Sequence, residues 1–162
     1  MEIDKISLDR IELLHPRLRG EAKKILERCW QSGLRVRFTH TLRTFAEQSE
    51  IYAQGRTKAG KIVSYAKAGM SWHNYGLAID ICFLVQNGAS WDESKDWNGN
   101  GKADWLDVVA IFEAHGWTWG GRWKGKKRDG AHFQKSLGLT IGKALELHRL
   151  KQVDAQGYLC LK

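Results

Sequence analysis

The sequence is short of the residues that mark several protein classes. Proline occurs once, at Pro16, in 162 residues. No Pro- or Ser-rich linker, internal repeat or low-complexity stretch breaks the chain, so residues 1–162 read as a single domain of ordinary length. Cysteine occurs three times, at Cys29, Cys82 and Cys160. An odd number at wide spacing encodes neither a disulfide framework nor a cysteine zinc knuckle, and it suits folding in a reducing cytosol. No apolar run approaches the roughly 20 residues that a membrane-spanning helix needs, so no stable membrane anchor is expected. The N-terminal stretch MEIDKISLDRIELLHPRLRG alternates charged and apolar groups without an apolar h-region, so no secretory signal is expected.

Hydrophobic residues make up 43% of the chain and charged residues 27%. That balance supports a real core and excludes disorder over most of the length. The 26 Lys and Arg residues outnumber the 18 Asp and Glu, a formal net charge of +8. Such a field speeds encounters with polyanions. Nucleic acid, an anionic membrane and an anionic cell-wall polymer all qualify, so charge alone does not choose among them.

The patterning predicts a mixed fold. Pro16 suits the first position of a helix over 16–32 and Gly33 its left-handed stop. Between them Leu18, Ala22, Ile25, Leu26 and Cys29 share one face, which makes Cys29 a small buried apolar group. Residues 34–40 alternate, with Leu34, Val36 and Phe38 inward, as in a half-buried strand. Thr44 and Glu47 have capping-box spacing and open a helix through Gln54, stopped by Gly55. Residues 56–72 read as a polar loop and 77–84 as a buried strand carrying one acid, Asp80. Residues 103–115 read as an amphipathic helix with Leu106, Val109 and Ala110 inward. Residues 117–134 end in a short strand around His132, and 140–151 form a last helix. Helices and strands mix without βαβ alternation, which makes the class α+β.

The chemistry concentrates in Ser71-Trp72-His73-Asn74-Tyr75-Gly76-Leu77-Ala78-Ile79-Asp80. An acid inside an apolar strand is costly unless it is paired, hydrogen-bonded or bound to metal. His73 lies just before that strand, and Gly76 permits a turn that folds its imidazole back over the carboxylate. A second histidine, His132, follows Asp129 in another short apolar segment. Two imidazoles and one carboxylate leave a fourth position open, the ligand count of a catalytic zinc site. Asp129 then suits a general base that is not a ligand. Taken singly, either histidine also reads as an ordinary hydrogen-bonded residue at a strand edge, and spacing alone leaves both readings open.

Ser71-x-His73-x-x-Gly76-x-Ala78-x-Asp80 followed by Asp129-x-x-His132 resembles the zinc signature of the peptidoglycan-cutting LAS metallopeptidases. That group holds D-Ala-D-Ala carboxypeptidases and dipeptidases, and the L-alanyl-D-glutamate endopeptidases of phages and bacteria. Thr41-Leu42-Arg43-Thr44, Gln48 and Tyr52-x-x-Gly55-Arg56-Thr57 are similar to the endopeptidase branch. The resemblance implies a hedgehog/D-Ala-D-Ala-peptidase-like fold, a small antiparallel sheet carrying the zinc site and flanked by helices. It implies His73, Asp80 and His132 as ligands of one zinc, Asp129 as base, Arg43 near the scissile carbonyl, and Ser71 and Gln48 at the substrate. One departure is Gly120-Gly121-Arg122-Trp123, where relatives often carry an acid after the paired glycines.

Three further readings complete the picture. Trp119 and Trp123 are the expected cleft aromatics, although packing in the core is the ordinary use of tryptophan. The run Arg122, Lys124, Lys126, Lys127 and Arg128 suits a solvated face or a hold on anionic wall polymer. Asp96, Asn98, Asn100, Asp104 and Asp107, with Gly101, follow calcium-loop spacing, although Asp107 replaces the usual glutamate and a glycine-rich turn explains them equally.

The expected function is zinc-dependent cleavage of peptidoglycan stem peptides, at the L-alanyl-D-glutamate bond. A D-Ala-D-Ala carboxypeptidase is the nearest rival. A metal-dependent nuclease is a third reading, weakened by the lack of paired acids for two metals, and no nucleic-acid partner is expected. A monomer is expected. The missing signal segment suits an endolysin held in the host cytoplasm before lysis, and equally a bacterial enzyme exported by another route.

Overall fold

The computed structural model describes residues 3–86 and 88–161; the first two residues of the charged N-terminal stretch lie outside that range. Helix α1 (Lys5–Ile11) opens on Asp4, whose carboxylate accepts the Ser7 N–H. Helix α2 (Pro16–Gln31) has Pro16 at its first turn and buries Leu18, Ala22, Ile25, Leu26 and Cys29, the face that the periodicity predicts. Gly33 follows with φ 78°, a left-handed stop. Strand β1 (Val36–His40) then carries Val36 and Phe38 into the core. Helix α3 (Phe45–Ala53) begins with the full Thr44–Glu47 capping box.

The centre of the fold is strand β2 (Ala78–Val85). Strand β3 (Gly88–Ser90) folds back on its far end, and helix α4 (Asp104–Ala114) follows. Strands β4 (Thr118–Trp119) and β5 (His132–Gln134) and helix α5 (Ile141–Arg149) complete the order. Among the described residues the sheet runs β1-β2-β5-β4, with β3 paired to β2. Every pairing is antiparallel. With helices flanking this sheet, the fold is α+β as expected.

The core fills the space between the sheet, α2 and α4. Phe112 stacks on Phe133 at 4.0 Å between ring centroids, and Phe38, Ile25, Leu26 and Ile79 are fully buried around them. The three cysteines are free, Cys29 and Cys82 buried and Cys160 exposed. The C-terminal stretch packs back on the front of α2, where His15 Nε2 meets the Leu159 carbonyl at 2.9 Å.

Four elements differ from the sequence reading. Helix α1 and strands β3 and β4 are additional. The inward face of α4 is Trp105, Val108, Val109 and Phe112, while Leu106 and Ala110 face solvent. The aromatics decide that rotation. Trp105 packs against Phe83 of β2 at 5.6 Å, and Phe112 lies over Phe133. Burying two large rings outweighs burying one leucine and one alanine.

Candidate metal centre

Three elements carry three donors to one point. His73 sits in a short 3-10 turn, Trp72–Tyr75. Ser71 caps that turn through the His73 N–H, and Gly76 ends it at φ 66°. A Cβ on Gly76 would lie 2.7 Å from the His15 backbone nitrogen, so the chain must be glycine there to turn into β2. Asp80 is the third residue of β2, and His132 opens β5 directly opposite it in the ladder. The sheet register therefore fixes the Asp80–His132 pairing, and the glycine turn folds His73 over it.

The donor atoms form a nearly equilateral triangle. His73 Nε2 lies 3.1 Å from Asp80 Oδ1 and 3.2 Å from His132 Nδ1, and His132 Nδ1 lies 3.1 Å from the same Asp80 oxygen. The outward nitrogens are already engaged. His73 Nδ1 is 2.8 Å from the Thr41 carbonyl, which can only accept, so this nitrogen carries the proton. His132 Nε2 donates likewise to Gln134 Oε1 at 3.0 Å. In neutral imidazoles those outer bonds turn two lone pairs inward against a carboxylate.

Three acceptors at such distances repel unless a cation lies among them. Tetrahedral zinc with bonds of about 2.0–2.1 Å spaces its donors by about 3.3 Å. Two imidazoles and one carboxylate are also the donor types zinc takes. The residues present fit the ion. Burial pushes the Asp80 carboxyl up, but attraction to His73 and His132 overrides this and holds it well below the ordinary value. Burial pushes His132 down, and its bond to Asp80 overrides this and raises it.

Comparison with known proteins shows the family. The D-alanyl-D-alanine carboxypeptidase family model of the M15 peptidases matches residues 64–135. The peptidoglycan L-alanyl-D-glutamate endopeptidase CwlK of Bacillus subtilis (strain 168) is 45% identical over 122 residues, 75% of this chain and 72% of CwlK. The chain belongs to the M15 peptidase family. Two solved structures share its fold. The Serratia marcescens L-Ala D-Glu endopeptidase ChiX has TM-score 0.55 at 23% identity, covering 88% of this chain and 92% of ChiX. The LD-carboxypeptidase LdcB has TM-score 0.54 at 16% identity, covering 82% of this chain and 68% of LdcB.

Around the triad this M15 peptidase opens a cleft of about 1230 Å³. Asp129 and Arg43 stand on it with the three donors. Burial, and next the charge of Asp80, push the Asp129 carboxyl above its ordinary value. Arg43 Nη2 is 3.9 Å from Asp80 Oδ2, and its Nη1 donates to Gln48 Oε1 at 3.2 Å. Its backbone N–H binds the His73 carbonyl, so the guanidinium is anchored to the metal turn itself. Ile62, Val63, Tyr65 and Met70 form an exposed apolar lip, and Lys126 and Lys127 stand on the same cleft.

The remaining expected site residues divide. Ser71 lines the cleft while capping the His73 turn. Trp123 lines it too, its ring 5.3 Å from that of His132. Trp119 lies in the core instead, 6% exposed, with Nε1 donating to the Gly130 carbonyl at 2.7 Å. Position on β4, whose partner strand packs inward, explains that placement. Gln48 is fully buried and has no surface to offer a substrate. Its Nε2 donates to Ser64 Oγ and the Ala66 carbonyl, so it ties Arg43 to the cleft wall. Arg122, at the departure from the usual pattern, forms a bidentate ion pair with Glu113 at 2.7 and 2.8 Å.

The sequence names Thr41 only as part of the Arg43 motif and gives no site role to Thr41, Gln134 or His40. Thr41 acts through its backbone carbonyl, which leaves no side-chain signal. Gln134 was readable, because strand alternation places it on the face of His132. His40 pairs with Asp80 across β1 and β2 and lines the cleft.

Asp96, Asn98, Asn100, Asp104 and Asp107 do not join this centre. Among the described residues, His73, Asp80 and His132 are the one group of three or more His, Cys, Asp or Glu side chains close enough to share an ion.

Proposed function

We propose that this chain is a zinc-dependent endopeptidase that cuts the L-alanyl-D-glutamate bond of peptidoglycan stem peptides. The inward-facing triangle of His73, Asp80 and His132 is the observation that carries the reading. The likeness to CwlK over three quarters of the chain supports the bond chosen. His73 Nε2, His132 Nδ1 and Asp80 Oδ1 would hold the ion, which when bound supplies Lewis acidity and lowers the pKa of water toward neutrality.

The chain's own residues supply the rest. Asp129, with its raised pKa, takes the proton of the attacking water and returns it to the leaving amine. The Arg43 guanidinium meets the negative charge that develops on the scissile carbonyl oxygen. Gln48 holds that guanidinium in place. The apolar lip and Trp123 line the approach to the reacting bond. On intact walls the same activity would be lytic, as in an endolysin.

Mass spectrometry of muropeptide digests tests the reading. An endopeptidase leaves L-Ala amide-linked to the lactyl group and frees peptides that begin with D-Glu, and chelation stops it. Release of single D-Ala residues would replace it with the carboxypeptidase reading, which the matching family model favours. No helix among the described residues is long and apolar enough to cross a membrane.

A further inference from the structure

The two walls of the cleft differ in character, and the sheet order sets them on opposite sides of Asp80. Strand β2 lies between β1 and β5, with His40 opposite Asp80 on one side and His132 on the other. The first wall comes from the segment between α3 and the His73 turn. Gln48 moors that segment beside Arg43, just past the end of β1. It presents the apolar lip and, among the described residues, brings one cation to the cleft, Lys67. The second wall comes from the segment between β4 and β5. It presents Trp123, Lys126, Lys127 and Arg128.

Only part of the charge on the second wall is available to a ligand. Arg128 is held in a bidentate ion pair with Glu93, as Arg122 is with Glu113. Among the described residues neither Lys126 nor Lys127 forms an ion pair, and both are exposed. They sit in one short 3-10 turn, Gly125–Lys127, just ahead of Asp129. The Arg128 N–H binds the Gly125 carbonyl and the Asp129 N–H binds the Gly120 carbonyl, each at 3.1 Å. The turn is therefore pinned beside the base, while each ammonium rides on a flexible four-carbon stem.

The substrate of the proposed reaction has a matching polarity. L-Alanine, on one side of the scissile bond, offers a methyl group. D-Glutamate, on the leaving side, has two carboxyls, and only one of them continues the stem. A free carboxylate therefore stays within a few bonds of the departing nitrogen. Asp129 returns its proton to that nitrogen, so the leaving side of the cleft is the Asp129 side. We propose that Lys126 and Lys127 bind the free carboxylate of this D-glutamate. The inference rests on the peptidase reading and deepens it, because stems with that carboxylate free are then preferred over stems in which it is an amide. Unpaired, the carboxylate would be repelled by Asp129, and the lysines offset that. A neutral amide gains nothing from them, and solvent keeps the difference modest.

The test compares two muramyl tripeptides, L-Ala-γ-D-Glu-L-Lys and its α-carboxamide, on the zinc-loaded full chain. The wild type is expected to cut the acid with kcat/KM about 5–20-fold above the amide, through a lower KM. Sodium chloride at about 0.5 M should shrink that ratio. Lys126→Gln combined with Lys127→Gln should bring it to within about twofold of unity, with zinc content per chain unchanged. Lys67→Gln should keep it. A wild type that cuts both peptides equally, a ratio that survives in the double variant, or a ratio lost in Lys67→Gln instead overturns the proposal. Binding of both peptides to zinc-loaded Asp129→Asn, with and without the lysine changes, separates the two readings. A lysine-dependent binding preference with neither peptide cut by the wild type overturns the peptidase reading and leaves the subsite standing. Cleavage without preference does the reverse.

Discussion

The His73–Asp80–His132 centre and the Asp96–Asp107 loop use similar polar residues in opposite ways. In the first, both outer imidazole nitrogens are bonded, so the remaining nitrogen of each ring faces Asp80. In the second, the donors are spent on their own backbone. Asp96 Oδ1 accepts the Gly99 and Asn100 N–H groups, and its Oδ2 accepts that of Gly101. The first is held open by a sheet register that cannot slip without turning Asp80 to the other face. The second is a turn that closes on itself. Preorganisation by neighbouring structure, more than residue type, separates a convergent donor set from a turn whose polar groups satisfy one another.

The sharpest way to break the comparison is to remove one side chain from each region. His73→Ala should lose zinc and reduce peptide release to background, read by metal content and muropeptide mass spectrometry. Asp107→Asn should keep its zinc. Equal zinc loss in both variants would dissolve the distinction.

Next in size is the base. Asp129→Asn should retain zinc and lower kcat by about 10²–10⁴-fold. Asp129 works deprotonated, and its pKa lies above the ordinary carboxylate value. Activity should therefore fall as pH drops through that raised pKa. A variant with parental kcat would remove Asp129 from the mechanism.

Arg43→Ala should cost about 10²–10³-fold in kcat with zinc retained, the range for losing one oxyanion partner. Gln48→Ala should cost less, and mainly in kcat, since Gln48 only positions the guanidinium. A rise confined to KM would assign both residues to substrate binding instead.

The smallest effect lies outside the metal centre. Asp4 caps α1 and binds Arg37 Nε and Nη2 at 3.0 and 2.6 Å. Burial pushes its carboxyl up, but Arg37 and Ser7 outweigh that and leave it lowered. A lowered native pKa stabilises the fold above the unfolded carboxylate pKa and stops doing so as pH falls through the native one. Asp4→Ala should cost about 1–2 kcal/mol at neutral pH, by urea unfolding. The gap from the parent protein should close in acid. A gap that widens toward low pH would refute this.

Much of the centre was legible because its signals are local. An acid in an apolar strand, a glycine after a histidine, and a second histidine three residues beyond an acid all mark positions on the chain. The helices over 16–31, 45–53 and 141–149 were legible through Pro16, the Thr44–Glu47 box and periodicity. Helix α1 was missed because its seven residues are too few for a periodic signal. The inward face of α4 was misjudged because partner rings on β2 and β5, distant in sequence, select it. Trp119 and Gln48 were placed at the substrate by type and motif, but burial depends on what folds over them.

The sequence alone determined which groups are available, two imidazoles and two acids in short apolar segments, and where glycine lets the chain reverse. Tertiary structure alone decided that Asp80 and His132 stand opposite each other, that Thr41 and Gln134 turn both lone pairs inward, and that Gln48 serves Arg43. Ladder register and outer hydrogen bonds set that orientation, and no spacing along a chain encodes the direction of a lone pair.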